Sequence, residues 1–291
     1  MKLSLMTINM MFQFGYKYLI MDHDAEDFEE SWLEMMDLVS EAGFKAVDVT
    51  SIELMALGAD KIHEELEKRK IAVSSVIDFD SYMDIEPGAF EKKLAAHKAN
   101  MEAAVKLNTK VFMLALGGTT AGGVPAADKK EAHEKLAAYF RPLSEYAKAL
   151  GLHPVVEDTP NLAFYLDKAA DLKEILDAIP DLEVVYDSGN MLLVGEDPVA
   201  YFRQFAGRTA HIHLKDMMYV DLSERGGDLA EDGRKMNTAP AGTGLVDMPA
   251  LLTEIKKSGY DEYLTVEYAK HPEMNWLDSL KASREYYEAL L

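Results

Sequence analysis

Cysteine is absent from all 291 residues. That excludes disulfides, thiolate metal sites and a cysteine nucleophile, and it fits a reducing compartment. No run of eighteen apolar residues occurs, and the opening MKLSLMTINMMFQFGY lacks a sustained basic-then-apolar signal with a cleavage site. The expectation is a soluble, cytoplasmic protein with no membrane partner. Basic charge is also scarce: 30 Lys and Arg stand against 51 Asp and Glu, a net charge of −21. Phosphate polyanions would be repelled, so nucleic acid is excluded as a partner. No polar low-complexity tract appears, and 48% of residues are hydrophobic against 28% charged, which is the composition of a globular chain with a large core.

One pattern repeats along that chain. Short apolar or β-branched runs follow a glycine or a turn, and an amphipathic stretch follows each run. The first half offers LSLMTIN then Asp27–Ala42, FKAVDVT then Asp60–Lys70, IAVSSVI then Gly88–Leu107, and TKVFMLAL then Ala126–Leu150. The second half offers LHPVVED then Lys168–Ala178, LEVVYDS then Asp197–Phe205, TAHIHLKD then Met248–Ser258, and YLTVEY then Asn275–Leu290. Strand–helix units in this number, with strands apolar on both faces, predict a closed (β/α)8 barrel forming a single α/β domain over residues 1–291. Gly43, Gly151 and Gly259 stand where helices one, four and seven should stop. The seventh unit breaks the rhythm, since Met217 to Asp247 separates its strand from its helix. A long insertion after a strand reads as a functional loop or lid.

TAHIHLKD places His211, His213 and Lys215 on one strand face and Ile212 and Leu214 on the other. The polar trio faces the barrel axis and rises towards the C-terminal rim, where barrel enzymes place their chemistry. Neighbouring strands each end on a carboxylate: Glu157 in VVEDTPN, Asp187 in VVYDSGN and Glu267 in LTVEY. Three carboxylates and one imidazole on four consecutive strands would repel one another or recruit a cation. Three oxygens with one nitrogen suit Mn²⁺, Mg²⁺ or Co²⁺ better than thiolate-rich zinc. An ion held there would keep positions open for two neighbouring oxygens of a polyol or hydroxyketone, and would stabilise an enediolate.

At these residues the sequence resembles the xylose isomerase-like barrel superfamily, and more narrowly the sugar phosphate isomerase/epimerase family with its ketose 3-epimerases and inosose dehydratases. VVEDTPN, VYDSGNM, HIHLKD, PAGTGLVDMPALLTEIKKSGYDEYLTVEY and SLKASREYYEALL carry the resemblance in that order. It implies one divalent ion, Mn²⁺ foremost with Mg²⁺, Co²⁺ or Fe²⁺ as options, bound by Glu157, Asp187, His213 and Glu267. It further implies that Glu157 and Glu267 share acid–base work on opposite faces of a carbohydrate substrate. A homo-oligomer is expected, with room for a co-encoded partner subunit. The pattern departs at Asn190, where ketose 3-epimerases carry histidine, and in LKDMMYV, which lacks their arginine. Met236 and Thr238 stand where endonuclease IV needs a further aspartate and histidine.

The expected activity is isomerisation or epimerisation of a sugar, sugar phosphate or hydroxyketone. The alternatives are a lyase sharing the enediolate and a metal-binding assembly subunit without catalysis. Substrate contact is assigned to His211, Lys215 and Asn190, each with a structural alternative. His211 can be an inward histidine satisfied by a neighbour, Lys215 can pair with Asp216, and Asn190, like Asp158 and Asn161, can shape a turn. Gly242 to Gly244 reads as a backbone turn near the site rather than a phosphate loop. Phe12, Phe14, Tyr16 and Tyr18 could wall a pocket, cover an interface or simply pack.

Overall fold

The computed structural model describes residues 1–13, 27–80, 90–116, 129–158, 166–224 and 226–291, the side chains of residues 12, 13, 80 and 116 excepted. Asn161, Phe14, Tyr16, Tyr18 and the side chain of Phe12 lie outside the described residues.

Most residues of the eight barrel strands are buried, so their side chains must find neighbours on both faces, and the chain achieves this by closing the sheet. In chain order the first half gives β1 (Lys2–Met6), α1 (Thr7–Gln13), α2 (Phe28–Ala42), β2 (Ala46–Thr50), α3 (Ser51–Leu57), α4 (Ala59–Arg69), β3 (Ala72–Asp80), α5 (Phe90–Lys106), β4 (Val111–Leu116) and α6 (Lys129–Ala149). The second half gives β5 (His153–Glu157), α7 (Ala169–Ala178), β6 (Glu183–Asp187), α8 (Asn190–Leu193), α9 (Pro198–Phe205), β7 (Thr209–Leu214), β8 (Asp216–Val220), β9 (Asp228–Leu229), β10 (Lys235–Ala239), α10 (Met248–Ser258), β11 (Tyr263–Val266) and α11 (Trp276–Leu290). Strands β1 to β7 and β11 close a parallel barrel in the order β1-β11-β7-β6-β5-β4-β3-β2. This is a single (β/α)8 domain.

Helix packing follows the sequence period. In α2, Trp32, Met35, Met36 and Val39 recur at helical spacing and are all buried, while Glu29 and Glu30 sit in the first turn near the positive end of the helix dipole. Helix α10 starts on Asp247, whose carboxylate accepts from the backbone N–H of Ala250, a cap worth about 1 kcal/mol. It stops at Gly259, whose φ of 81° is left-handed backbone that a side chain would strain.

The structure adds two helices to the sequence pattern, α3 and α8, and differs from it at two further places. LSLMTIN is not all strand: β1 ends at Met6 and Thr7 opens α1, because Thr7 turns its hydroxyl to the Asp48 carbonyl and the Glu53 carboxylate. The insertion after β7 is not irregular: β8, β10 and β9 form an antiparallel sheet in that order, with Asp216 opposite Ala239 and Val220 opposite Lys235. Leu193, Met217, Ala230 and Met236 form a small apolar cluster beneath it. Asp216 ties its base: the carboxylate accepts from the N–H groups of Gly244 at 2.8 Å and Val246 at 3.1 Å. A Cβ on Gly244 would lie 2.2 Å from Asp216 Oδ1, so the turn reading of Gly242 to Gly244 has a steric basis.

Candidate metal centre

Four neighbouring strands deliver the candidate ligands. Glu157 and Asp187 are the last residues of β5 and β6, His213 lies near the end of β7, and Glu267 follows β11 directly. One ligand atom from each lies within 4.8 Å of the others, so the structure brings the sequence-derived quartet together. Asp187 and His213 are fully buried, Glu267 is 8% exposed, and Glu157 is the most open of the four. His213 turns Nδ1 towards Glu157, with Glu267 Oε1 at 3.7 Å.

Register explains the convergence. Asp187 is level with His213 across β6 and β7, and Thr265 is level with His213 across β11, so Glu267, two residues on, rises above the imidazole on the same inner face. Asp187 Oδ1 accepts from the backbone N–H groups of Gly189 and Asn190, each at 2.7 Å, which locks the carboxylate at the start of α8.

Lys215 does not pair with Asp216. Its ammonium lies 2.8 Å from Glu267 Oε2, 3.4 Å from Asp187 Oδ2 and 2.9 Å from Asn190 Oδ1. Burial opposes that charge, but Asp187, Glu267 and Glu157 outweigh it and hold the Lys215 pKa well above its usual value. Glu267 is raised to about 7 on balance: burial is the largest cause, Lys215 and His213 oppose it, and the charges of Asp187 and Glu157 reinforce it. Asn190 spends both ends of its amide within the protein, donating to the Asp158 carbonyl at 3.0 Å and accepting from Lys215. Asp158 is fully buried behind them, and burial, with the charges of Asp187 and Glu157, raises its pKa well above the carboxylate range.

His211 stands outside this group. It lies one pleat deeper, its ring edge-on to His213 at 5.2 Å between centroids, with Nε2 3.0 Å from both Asp48 Oδ2 and Thr265 Oγ1. It also lines a cavity of about 620 Å³ at the opposite, N-terminal end of the barrel, together with Ser74, Lys110, His153 and Glu183.

Asp48 was not singled out from the sequence, yet it is fully buried on the axis and contacts both histidines, forming a second cluster of potential ligands with them. Burial disfavours its charge, but His211 and His213 prevail and hold its pKa well below the carboxylate range. A signal was available: in AVDVT, Asp48 and Thr50 alternate inward at the same spacing that exposes His211 and His213.

The quartet suits a divalent cation. Asp187 Oδ2 is buried without a hydrogen-bond partner among the described residues, though the Lys215 ammonium lies 3.4 Å away, and a buried carboxylate grouped with two more carboxylates and an imidazole is a typical ligand arrangement.

Residues 36–289 match the model of the xylose isomerase-like TIM barrel family. The chain belongs to that family. Among relatives of this xylose isomerase-like barrel, an inosose dehydratase of Lacticaseibacillus casei is 24% identical over 278 residues, covering 90% of this chain and 91% of its own. A solved L-ribulose 3-epimerase superposes with TM-score 0.73 at 15% identity, covering 100% of this chain and 95% of its own. The IOLI protein, solved with a zinc atom, superposes with TM-score 0.69 at 15% identity, covering 100% and 98% respectively. These structural likenesses show the shared barrel; of the proteins named, one is a dehydratase and one an epimerase.

Proposed function

We propose that this protein is a divalent-metal-dependent enzyme that moves a proton at the carbon beside the carbonyl of a sugar, sugar phosphate or related hydroxyketone, releasing an isomer or epimer. The observation that carries the reading is the convergence of Glu157, Asp187, His213 and Glu267 at the C-terminal mouth, with the buried Asp187 carboxylate among them. All four residues would hold the ion, Mn²⁺ best matching three oxygens and one imidazole nitrogen. When bound, such an ion polarises a substrate carbonyl and so acidifies the neighbouring C–H.

The chain's own groups supply the rest. Glu157, the most exposed member, is placed to take the proton. Glu267 is placed to return one, and Lys215 fixes its orientation through the contact at 2.8 Å. Asn190 in turn steadies Lys215, so of these two predicted substrate-contact residues Lys215 is held by the acidic side chains and Asn190 by Lys215 and the Asp158 carbonyl.

A second reading has its own support. In dehydration Glu267 would give its proton to a departing hydroxyl instead of returning it to carbon. The dehydratase relative that spans nearly the whole chain favours this outcome, as do Asn190 and LKDMMYV, which depart from the epimerase pattern.

Metal analysis of the purified protein should find about one divalent ion per chain, lost in Asp187→Ala. Incubation of the loaded enzyme with ketoses and inososes in D₂O should place deuterium beside the carbonyl, and Glu157→Gln or Glu267→Gln should slow this by roughly 10²–10⁴-fold. A product of unchanged mass before exchange identifies an epimerase or isomerase, and loss of water a dehydratase. Wild type that exchanges deuterium with no metal present would refute the reading.

A further inference from the structure

Each carboxylate oxygen of Asp48 is fully committed. Oδ2 lies 3.0 Å from His211 Nε2 and 3.2 Å from His213 Nε2, while Oδ1 accepts from Thr265 Oγ1 at 3.1 Å and from Ser74 Oγ. A carboxylate in such a site can only accept, so both imidazoles must present Nε2–H to it. The residue reaches these partners from β2, across the barrel interior from β7, and is 0% exposed. An ionised group at the centre of a barrel is costly unless every contact is made, and barrel interiors are otherwise filled by branched apolar side chains.

We propose that Asp48 is a positioning residue that fixes His213 as the Nε2–H tautomer and thereby turns Nδ1 into the metal-ligating nitrogen. This rests on the metal reading above. Nδ1 faces the Glu157 carboxylate, with Glu267 Oε1 3.7 Å away, so it donates to carboxylates here, and an ion held by those same two glutamates would take the place of that hydrogen while Nε2–H stays on Asp48. A histidine with the opposite tautomer would aim N–H at the ion and lose its ligand lone pair. His211 acts on Asp48 rather than on substrate: its Nε2–H, with the Thr265 and Ser74 hydroxyls, prevents the carboxylate from rotating away from His213. The pair of inward histidines in HIH is thus divided between one ligand and one brace.

The test uses the whole protein, with imidazole nitrogens labelled with ¹⁵N and the site loaded with diamagnetic Zn²⁺. Long-range ¹H–¹⁵N correlation should show His213 protonated at Nε2 and coordinated through Nδ1, and His211 protonated at Nε2. Calorimetric titration with Mn²⁺ should show Asp48→Ala binding roughly 10–100-fold more weakly than wild type. Asp48→Asn should recover most of that loss, because its amide oxygen can accept both N–H groups while its NH₂ turns to the rotatable hydroxyls. Coordination of wild-type His213 through Nε2, or an unchanged Mn²⁺ affinity in Asp48→Ala, would overturn the assignment. The wild-type spectrum decides even if Asp48→Ala does not fold. Wild type that binds neither ion defeats the metal reading itself, a result distinct from binding that ignores Asp48.

Discussion

Lys215 is the cation that stands among the candidate ligands. Without an ion, its ammonium is the cation set between Glu267 and Asp187, and it is largely buried there. Replacing it by methionine leaves two buried carboxylates facing each other and Glu157, a defect that costs about 3 kcal/mol. The Lys215→Met protein should therefore melt well below wild type in chelator, and Mn²⁺ should raise its Tm by a larger increment than it raises that of wild type. Equal increments, measured by calorimetry with and without the ion, would show that Lys215 does not share the electrostatic load. One strand-end carboxylate alone could as well cap a helix or pair with a base, but the quartet was readable in the sequence because four consecutive apolar runs carry a carboxylate or an imidazole at their ends. The partners of Lys215 were not: adjacency made Asp216 the obvious choice, but on a strand consecutive side chains point to opposite faces, and Asp216 turns instead to the N–H groups of Gly244 and Val246. Asp48 was passed over for a related reason, since its histidine partners lie far along the chain and meet it only when the barrel closes.

Caps and glycines made some helix ends readable, as with α10 between Asp247 and Gly259 and α11 behind Asn275, whose side chain accepts from the N–H of Asp278, whereas α3, capped by Thr50 and ended at Gly58, was not read. The sheet of β8, β10 and β9 was not read, because its strands pair with one another rather than with the barrel and leave Met218, Tyr219 and Leu229 exposed, so no burial alternation is written into them. Helix α4 shows how a surface element is tied down by charge. Glu65 takes Lys68 at 2.8 Å and Arg69 at 2.9 Å, and Arg69 continues to Asp37 on α2. Hydrogen bonds from Lys68 and Arg69 lower the Glu65 pKa from 4.5 to about 2. A depressed folded-state pKa means that this contribution is present above the unfolded value and disappears as pH falls from about 4.5 towards about 2. In urea titrations across that window, wild type should lose stability more steeply than Glu65→Gln, and the two curves should converge at the acid end. Parallel curves would show that the clamp carries no pH-dependent stability.

Acidic side chains outnumber basic ones 51 to 30. Many of the cations are already committed to local pairs, as in Lys61 with Glu29, Lys148 with Glu183, Arg203 with Glu254 and Arg284 with Glu288. With 51 acidic and 30 basic side chains, the carboxylates left over repel one another across the whole surface. Salt acts on both terms. It weakens exposed pairs, each worth about 0–1 kcal/mol, and it screens the long-range repulsion of the net charge of −21, which grows with every uncompensated carboxylate. Because the Debye length is about 10 Å at 0.1 M salt, the distant repulsions are suppressed before the close pairs are. Stability should therefore rise when NaCl increases from about 0.01 to 0.1 M, with Tm climbing most steeply at the low end and levelling as screening saturates. Tetramethylammonium chloride should give the same rise, since screening depends on ionic strength and not on a site for sodium. A Tm that falls with either salt would mean that the local pairs outweigh the global field.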